Sequence, residues 1–386
     1  MDLNALFEQC IAIDADGAEW AKAVPGGGGV YALTDEHDTL ILIASGEGLR
    51  RTITYRLSPP PEASKKRADL RAVTRRVRWR RTYSAFETAF EFHRIARMLM
   101  PNDYMELCAF GPAWFVHVDV TERLPRLLAT KYLRTPGTNI GPFPTKNAAE
   151  RFVEMLEDLF DLCRHYHILE QAPHGQACAY AEMGKCPAPC DGSIPLDEYQ
   201  RMMAAAVSFG TGGWQSEVPH WRDAMMERAA AQDFEQANSF KQRIKRAEPL
   251  AGESCRFARP IEQFSCLIIQ RAEGRARVKP YFVRAGQIDA GESVKRKDLP
   301  EAAKRWVETM SAPPPPLTED NAALRSEWTW LVSHYLFKGD RAPGLFMPPD
   351  EWPNPDRWLP LIEERVLRLE TNTTPASDTN DKDLPS

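Results

Sequence analysis

The apolar positions of the first hundred residues alternate between a period of two and the helical period, and that alternation defines the expected elements. Residues 29–33 (GVYAL) and 39–44 (TLILIA) read as a strand hairpin with DEHD as its turn. Residues 63–76 are expected to form a helix and residues 77–83 a third strand. A second helix is expected over 84–100, apolar at 86, 89, 90 and 95 and stopped by Pro101.

Two strands are expected over 104–120 (YMELCAF, AWFVHVDV), and the loop PGTNIGPFPT leads into a helix over 147–163. A Cys-rich loop then runs to Cys190, a helix spans 195 to about 209, and GTGGW reads as a linker before a helical pair over 221–247. After Glu248 the period drops to two in FSCLIIQRA, RVKPYFVRA and QIDAGESV, the pattern of an antiparallel meander. Helices over 298–310 and 321–337 flank the proline-rich APPPPLTEDN. Trp328, Trp330, His334 and Tyr335 on the second of these read as core. The fold class is therefore multidomain α+β. The expected units are 1–103, a small antiparallel sheet with helices; 104–210, strands and helices carrying the Cys-rich loop 163–190; 216–250, a helical hairpin; 251–370, a second α+β domain; and 371–386, a polar disordered tail.

With 43% hydrophobic and 27% charged residues, the 386-residue composition is that of a soluble globular protein. The net charge of -5 means that any nucleic-acid surface must be local. The amino terminus carries acids and no basic segment before an apolar core, and no run of about eighteen uncharged apolar residues occurs, so a cytoplasmic location without membrane contact is expected.

Of the eight cysteines, Cys163, Cys178, Cys186 and Cys190 fall within 28 residues, in the spacing C-x14-C-x7-C-x3-C. Four soft thiolates on one proline-interrupted loop suit a single metal centre, and either zinc or an iron-sulfur cluster takes four of them. Buried free thiols are the plainer alternative. Trp221, Met225, Ala229, Phe234, Ala237, Phe240 and Ile244 give the helical pair an apolar seam, which either closes on itself or meets a partner. The stretch 65–81 holds nine Lys/Arg and one acid, Asp69. Its plainest reading is a solvated face.

Three stretches, GPFPTKNAAERFVEMLEDLFDLC, CAYAEMGKCPAPCDGSIPLDEYQ and DAMMERAAAQDFEQANSFKQRI, resemble in order the UvrC family, the incision subunits of bacterial nucleotide excision repair. The third resembles the family's UVR motif. The resemblance implies that Cys163, Cys178, Cys186 and Cys190 hold a four-iron four-sulfur cluster of structural role, with zinc the alternative. It further implies a UvrB-like helicase subunit as partner of the hairpin through Met225, Phe234, Glu235 and Ala237. In that context the basic stretch is expected to contact DNA phosphates through Lys65, Lys66, Arg67, Arg71, Arg75, Arg78 and Arg80, with Arg67, Arg71 and Arg75 on one helical face. Trp79 and Tyr83 are the aromatic residues placed to pack beside them.

By position, the first hundred residues correspond to the family's GIY-YIG nuclease. That chemistry uses a tyrosine near the attacking water, an arginine on the phosphate and a glutamate on a divalent cation such as Mg2+ or Mn2+. Gly29-Val30-Tyr31 matches the first half of the motif and Glu91 matches the metal-binding position, with Glu87 one turn away as a competitor. Leu42, Ala44, Ser45 and Thr52 replace the second tyrosine, a glycine, a lysine and the arginine, although Arg50 and Arg51 adjoin Thr52. The expected site is degenerate. The alternatives are an active endonuclease using Tyr31, Arg50 or Arg51, and Glu91, and a zinc-stabilised interaction module with no DNA role. In the last third we find no aspartate motif of the family's second nuclease, and no helix-hairpin-helix module is expected to fit.

Overall fold

The computed structural model describes residues 3–13, 19–58 and 69–367. Lys65, Lys66, Arg67 and the tail 371–386 lie outside these residues.

The first sheet contains β1 (Gln9–Ala12), β2 (Gly29–Thr34), β3 (Leu40–Gly46) and β4 (Arg76–Arg81), antiparallel in the order β1-β4-β2-β3. Asp35 closes the hairpin turn, its carboxylate accepting from the His37 and Thr39 N–H groups at 2.9 and 2.8 Å. At Gly29 a side chain would strike the Arg80 carbonyl, so glycine lets β2 lie close against β4. The side-chain period of two then sorts the sheet into two faces. Tyr31, Leu33, Val77 and Trp79 pack under helix α1 (Leu49–Leu57). Val30, Ala32 and Ile43 pack against Phe92, Ile95 and Ala96 of α2 (Ala85–Leu99), whose start is capped by the Ser84 hydroxyl.

The second sheet has the order β6-β5-β7-β8, from β5 (Trp114–Val118), β6 (Leu128–Thr130), β7 (Thr138–Phe143) and β8 (Arg259–Pro260). Helix α3 (Lys146–Leu159) lays Phe152 and Leu156 on it. The strand expected at the start of 104–120 is absent: Tyr104–Leu107 is a helical turn that continues the end of α2, the Tyr104 N–H donating to the Met100 carbonyl at 3.0 Å. Nor is GTGGW a linker. Phe209–Gly213 is a wide helical turn that runs α4 (Leu196–Ser208) straight into α5 (Trp214–Ala230), bent where Gly212 takes φ +138°. Helix α6 (Phe234–Ala247) returns along α5 to form the hairpin.

The expected meander is present as β9 (Ser265–Arg271), β10 (Arg277–Arg284) and β11 (Gln287–Ala290), with the short β12 (Val294–Lys295) also on β10 and β13 (Leu345–Met347) beside β9. Helices α7 (Leu299–Ser311) and α8 (Glu319–Leu336) pack on opposite sides of it. Trp330 and Tyr335 are core residues, whereas Trp328 and His334 are half-buried. One core joins distant parts of the chain: Phe86 and Phe90 of α2 pack with Phe115, Ile268, Tyr281 and Trp330. Beside them, buried Glu327 receives the Tyr104 hydroxyl and lies 2.9 Å from His93. Among the described residues no helix is long and apolar enough to cross a membrane.

Candidate functional site

The period-two pattern of β2 decides where the nuclease-like residues go. Tyr31 stands opposite Trp79 and Ala44 and is wholly buried beneath α1. Its hydroxyl accepts no short hydrogen bond, and burial raises its pKa against the opposing effect of Arg56. Glu91 lies on α2, the helix covering the other face. Its carboxylate lies 2.8 Å from the Arg94 guanidinium and 3.8 Å from that of Arg80. The sheet thus stands between Tyr31 and Glu91. Arg50, on α1, donates to the Val24 and Lys22 carbonyls at 2.8 and 3.3 Å, and Arg51 is exposed beside it. Leu42 is half-buried against the Tyr31 cluster, and Ser45 is exposed at the end of β3.

A hard divalent cation needs several converging oxygens with negative charge to spare. Here the one carboxylate is neutralised by two guanidiniums and the hydroxyl is sealed on the opposite face, so the residues do not fit such an ion. Glu87, one turn earlier, is also occupied. Its carboxylate accepts from the Tyr83 N–H at 2.8 Å and pairs at 2.8 Å with Lys279 from β10. No sequence signal marked that partner, because it lies almost two hundred residues away.

The basic stretch is divided by the same geometry. Arg78 and Arg80 point one way, as expected, but that way is inward. Arg78 is 4% exposed and bonds Asp38 at 2.7 Å, with Cys10 at 3.1 Å. Arg80 donates to the Leu6 carbonyl at 2.9 Å and also meets Glu8 and Glu91. The expected phosphate role of these two is corrected: they hold the amino-terminal segment and the turn to the sheet. The helix expected over 63–76 is not found in its described part, since 69–75 is turn and extended chain before β4. Arg71 and Arg75 are exposed, yet share no helical face; the Arg75 guanidinium donates to the Ala72 and Thr74 carbonyls. Trp79 is core, while Tyr83 lies beneath the Arg81 guanidinium.

Three cysteines of the loop share one neighbourhood. Cys163 and Cys186 interact thiol to thiol, and both feel Cys190 or are felt by it. That thiol contact, with help from the Ala188 backbone and Arg164, holds the Cys186 thiol below its ordinary value, while burial and Asp191 raise Cys190. Left-handed backbone at Ala188 and Gly192 folds the Cys186–Cys190 turn, and the Cys190 carbonyl accepts from Gly175 at 2.8 Å. Cys178 begins the short helix Ala179–Glu182 and is half-buried. Among the described residues no three His, Cys, Asp or Glu side chains are drawn into metal-ligand geometry. The donor chemistry of four thiols on one loop fits a soft, thiolate-bound group, and the Cys163–Cys186 contact brings two of them together.

The hairpin seam is closed at its base and open at its tip. Trp221 is buried, stacked on Phe209 at 5.2 Å and covered by the Arg243 guanidinium, and Ala237 is buried between the helices. Phe240 and Ile244 join the α3 core. Around the turn, where the Asp233 carboxylate caps α6, Phe234 is 69% and Met226 55% exposed. Met225 is half-buried and Glu235 exposed.

Residues 113–209 match the model of the UvrC/Cho excinuclease middle domain. All four loop cysteines lie inside that segment. The chain is similar to the UvrABC system protein C of Trichlorobacter lovleyi, 24% identical over 58% of this chain and 37% of that protein. It is also similar to those of Actinobacillus succinogenes, 25% identical over 71% of this chain and 45% of the relative, and Geobacter metallireducens, 22% over 70% and 44%. The matches thus span less than half the length of these relatives. No solved structure matches the chain. Its cysteine-bearing middle region thus matches the UvrC/Cho excinuclease middle domain, and over most of its own length the chain is similar to UvrABC system protein C.

Proposed function

We propose that the chain works in nucleotide excision repair as a DNA- and partner-binding protein whose GIY-YIG-like incision site is impaired. The observation that carries this reading is the separation of Tyr31 from Glu91 by the sheet, with Leu42 in place of a second hydroxyl and the Glu91 carboxylate held by Arg80 and Arg94. Leucine can neither hydrogen-bond a water nor move a proton. Supercoiled plasmid incubated with the protein and Mg2+ or Mn2+ should stay supercoiled. Nicking that disappears in Glu91→Ala would favour the active-endonuclease alternative instead.

Cys163, Cys178, Cys186 and Cys190 would hold the four-iron four-sulfur cluster that the resemblance implies, with zinc as the alternative. When bound, such a group cross-links the loop through its thiolate bonds and neutralises their charge. The chain's own part is to gather the sulfurs, through the Ala188 and Gly192 turns and the bond from Gly175 to Cys190.

The hairpin would dock a UvrB-like helicase subunit by its tip. The exposure of Phe234 and Met226 supports this, with Glu235 beside them and Met225 partly covered. Buried Ala237 would set the spacing of the two helices without touching a partner.

A further inference from the structure

We propose that the edge of the last sheet carries a groove for a nucleic-acid phosphate backbone, with Arg275, Lys295 and Lys297 as its phosphate-binding residues. The proposal rests on the DNA-binding reading above and assigns it a surface. Five basic residues, Arg275, Arg277, Lys295, Arg296 and Lys297, and one acid, Glu363, line an open groove of about 530 Å³. In a chain of net charge -5 this is a concentrated local field.

The six side chains divide into a frame and a free set. Arg296 is taken by Glu363 at 2.6 Å, and Arg277 donates to the Ser293 carbonyl and hydroxyl at 2.9 and 2.8 Å. Arg275, Lys295 and Lys297 are exposed, and among the described residues none of them pairs with a carboxylate. The backbone beneath them is fixed. Arg277 and Lys295 are register partners in β10 and β12, and the Arg296 N–H donates to the Ala276 carbonyl at 3.0 Å. The loop before β10 turns through left-handed Gly274 and Ala276, which presents Arg275 beside the lysines. Cations on a fixed platform lose less freedom when a polyanion binds than cations on a mobile loop.

The groove lies near the first sheet in space. Glu273, two residues before Arg275, takes the Arg81 guanidinium at 3.4 Å, and Arg81 closes the basic stretch of the first sheet. Spaced cations without a buried recognition pocket suit phosphates, which give affinity and position but no base specificity.

The test uses the full chain, a fluorescently labelled single strand and its duplex, and anisotropy over a range of salt. Arg275→Ala/Lys295→Ala/Lys297→Ala should weaken binding about tenfold or more and make the slope of log K against log salt shallower by about 2–3. The charge-keeping variant Arg275→Lys/Lys295→Arg/Lys297→Arg should bind like the parent. So should the control Lys22→Ala/Lys241→Ala/Lys304→Ala, which removes the same charge elsewhere. Thermal melting checks that each variant is folded. If the parent binds DNA and the groove variant matches it in affinity and slope, the groove is overturned and the DNA reading stands. A parent that binds neither strand nor duplex overturns the DNA reading, and the groove with it. Loss of binding to phosphatidylglycerol vesicles without loss of DNA binding would make the groove a membrane contact, which also overturns the proposal.

Discussion

Lys279 on β10 places its ammonium 2.8 Å from a carboxylate oxygen of Glu87 on α2, so a cation from the last sheet sits on the acid that competes with Glu91 for the metal-binding position. Glu87 is nearly buried, whereas Lys279 keeps 24% of its side chain exposed. Removing one partner of a fully buried pair costs about 3–5 kcal/mol, because the other charge is left uncompensated. With the lysine partly solvated, Lys279→Met should lose about 2–3 kcal/mol in urea unfolding. Adding Glu87→Gln should recover part of that loss. A loss within about 0.5 kcal/mol, the range of ordinary surface substitutions, would show that the pair does not tie the two sheets together.

The cysteine loop makes a colour prediction. Protein purified without oxygen and with iron supplied should be brown, with iron and acid-labile sulfide in near-equal amounts, and Cys186→Ser should abolish both. Colourless protein containing stoichiometric zinc would favour the zinc alternative. Protein with neither would return the four residues to free thiols.

The two ends of the hairpin should respond differently to truncation. Trp221→Ala removes a buried ring stacked on Phe209 and should cost about 3–5 kcal/mol of stability. Phe234→Ala removes an exposed ring and should leave the melting temperature nearly unchanged while weakening capture of a UvrB-like subunit. Equal destabilisation by both would mean that the tip is packed in solution.

Burial lifts the Glu157 carboxyl to about 7, against the pull of Arg164. Unfolded, it returns to the ordinary value of 4.5, so the folded state holds this proton more tightly. The stabilisation is complete below about 4.5 and is lost as pH rises through about 7. Glu157→Gln, which is neutral at every pH, should therefore raise the melting temperature relative to the parent at pH 8 and have little effect at pH 4. Parallel pH profiles for the two proteins would refute the assignment.

Much of the fold could be read from periodicity. The hairpin around Asp35, the helix before Pro101, the meander and the α5–α6 pair all follow from local pattern and caps. Helix α1 is not legible in local periodicity, because LRRTITYRL carries three β-branched residues in a row and packing on Tyr31 and Trp79 decides its form; only the resemblance marks GLRR as a helix start. The Arg78 and Arg80 pair shows the limit most clearly. Alternation places them on one face, but only the position of Asp38 and Glu8 tells that this face is inside. The cysteine spacing needed no tertiary information, since all four lie on one loop. The groove at Arg275 and Lys295 was invisible in sequence, because twenty residues and a strand turn separate its two halves.

The core shared by Phe86, Phe90, Tyr281 and Trp330 ties the amino-terminal sheet to the last third of the chain, so neither half is expected to survive alone as a soluble fragment. Cutting between them would expose a wet aromatic seam and strand Glu327 without His93 or Tyr104. A reporter fused to either end would therefore sense damage at the other. In this protein the amino-terminal sheet and its helix serve as a keystone for the rest of the chain, so a substitution at Phe86 or Phe90 reaches the last third as directly as it reaches its own sheet.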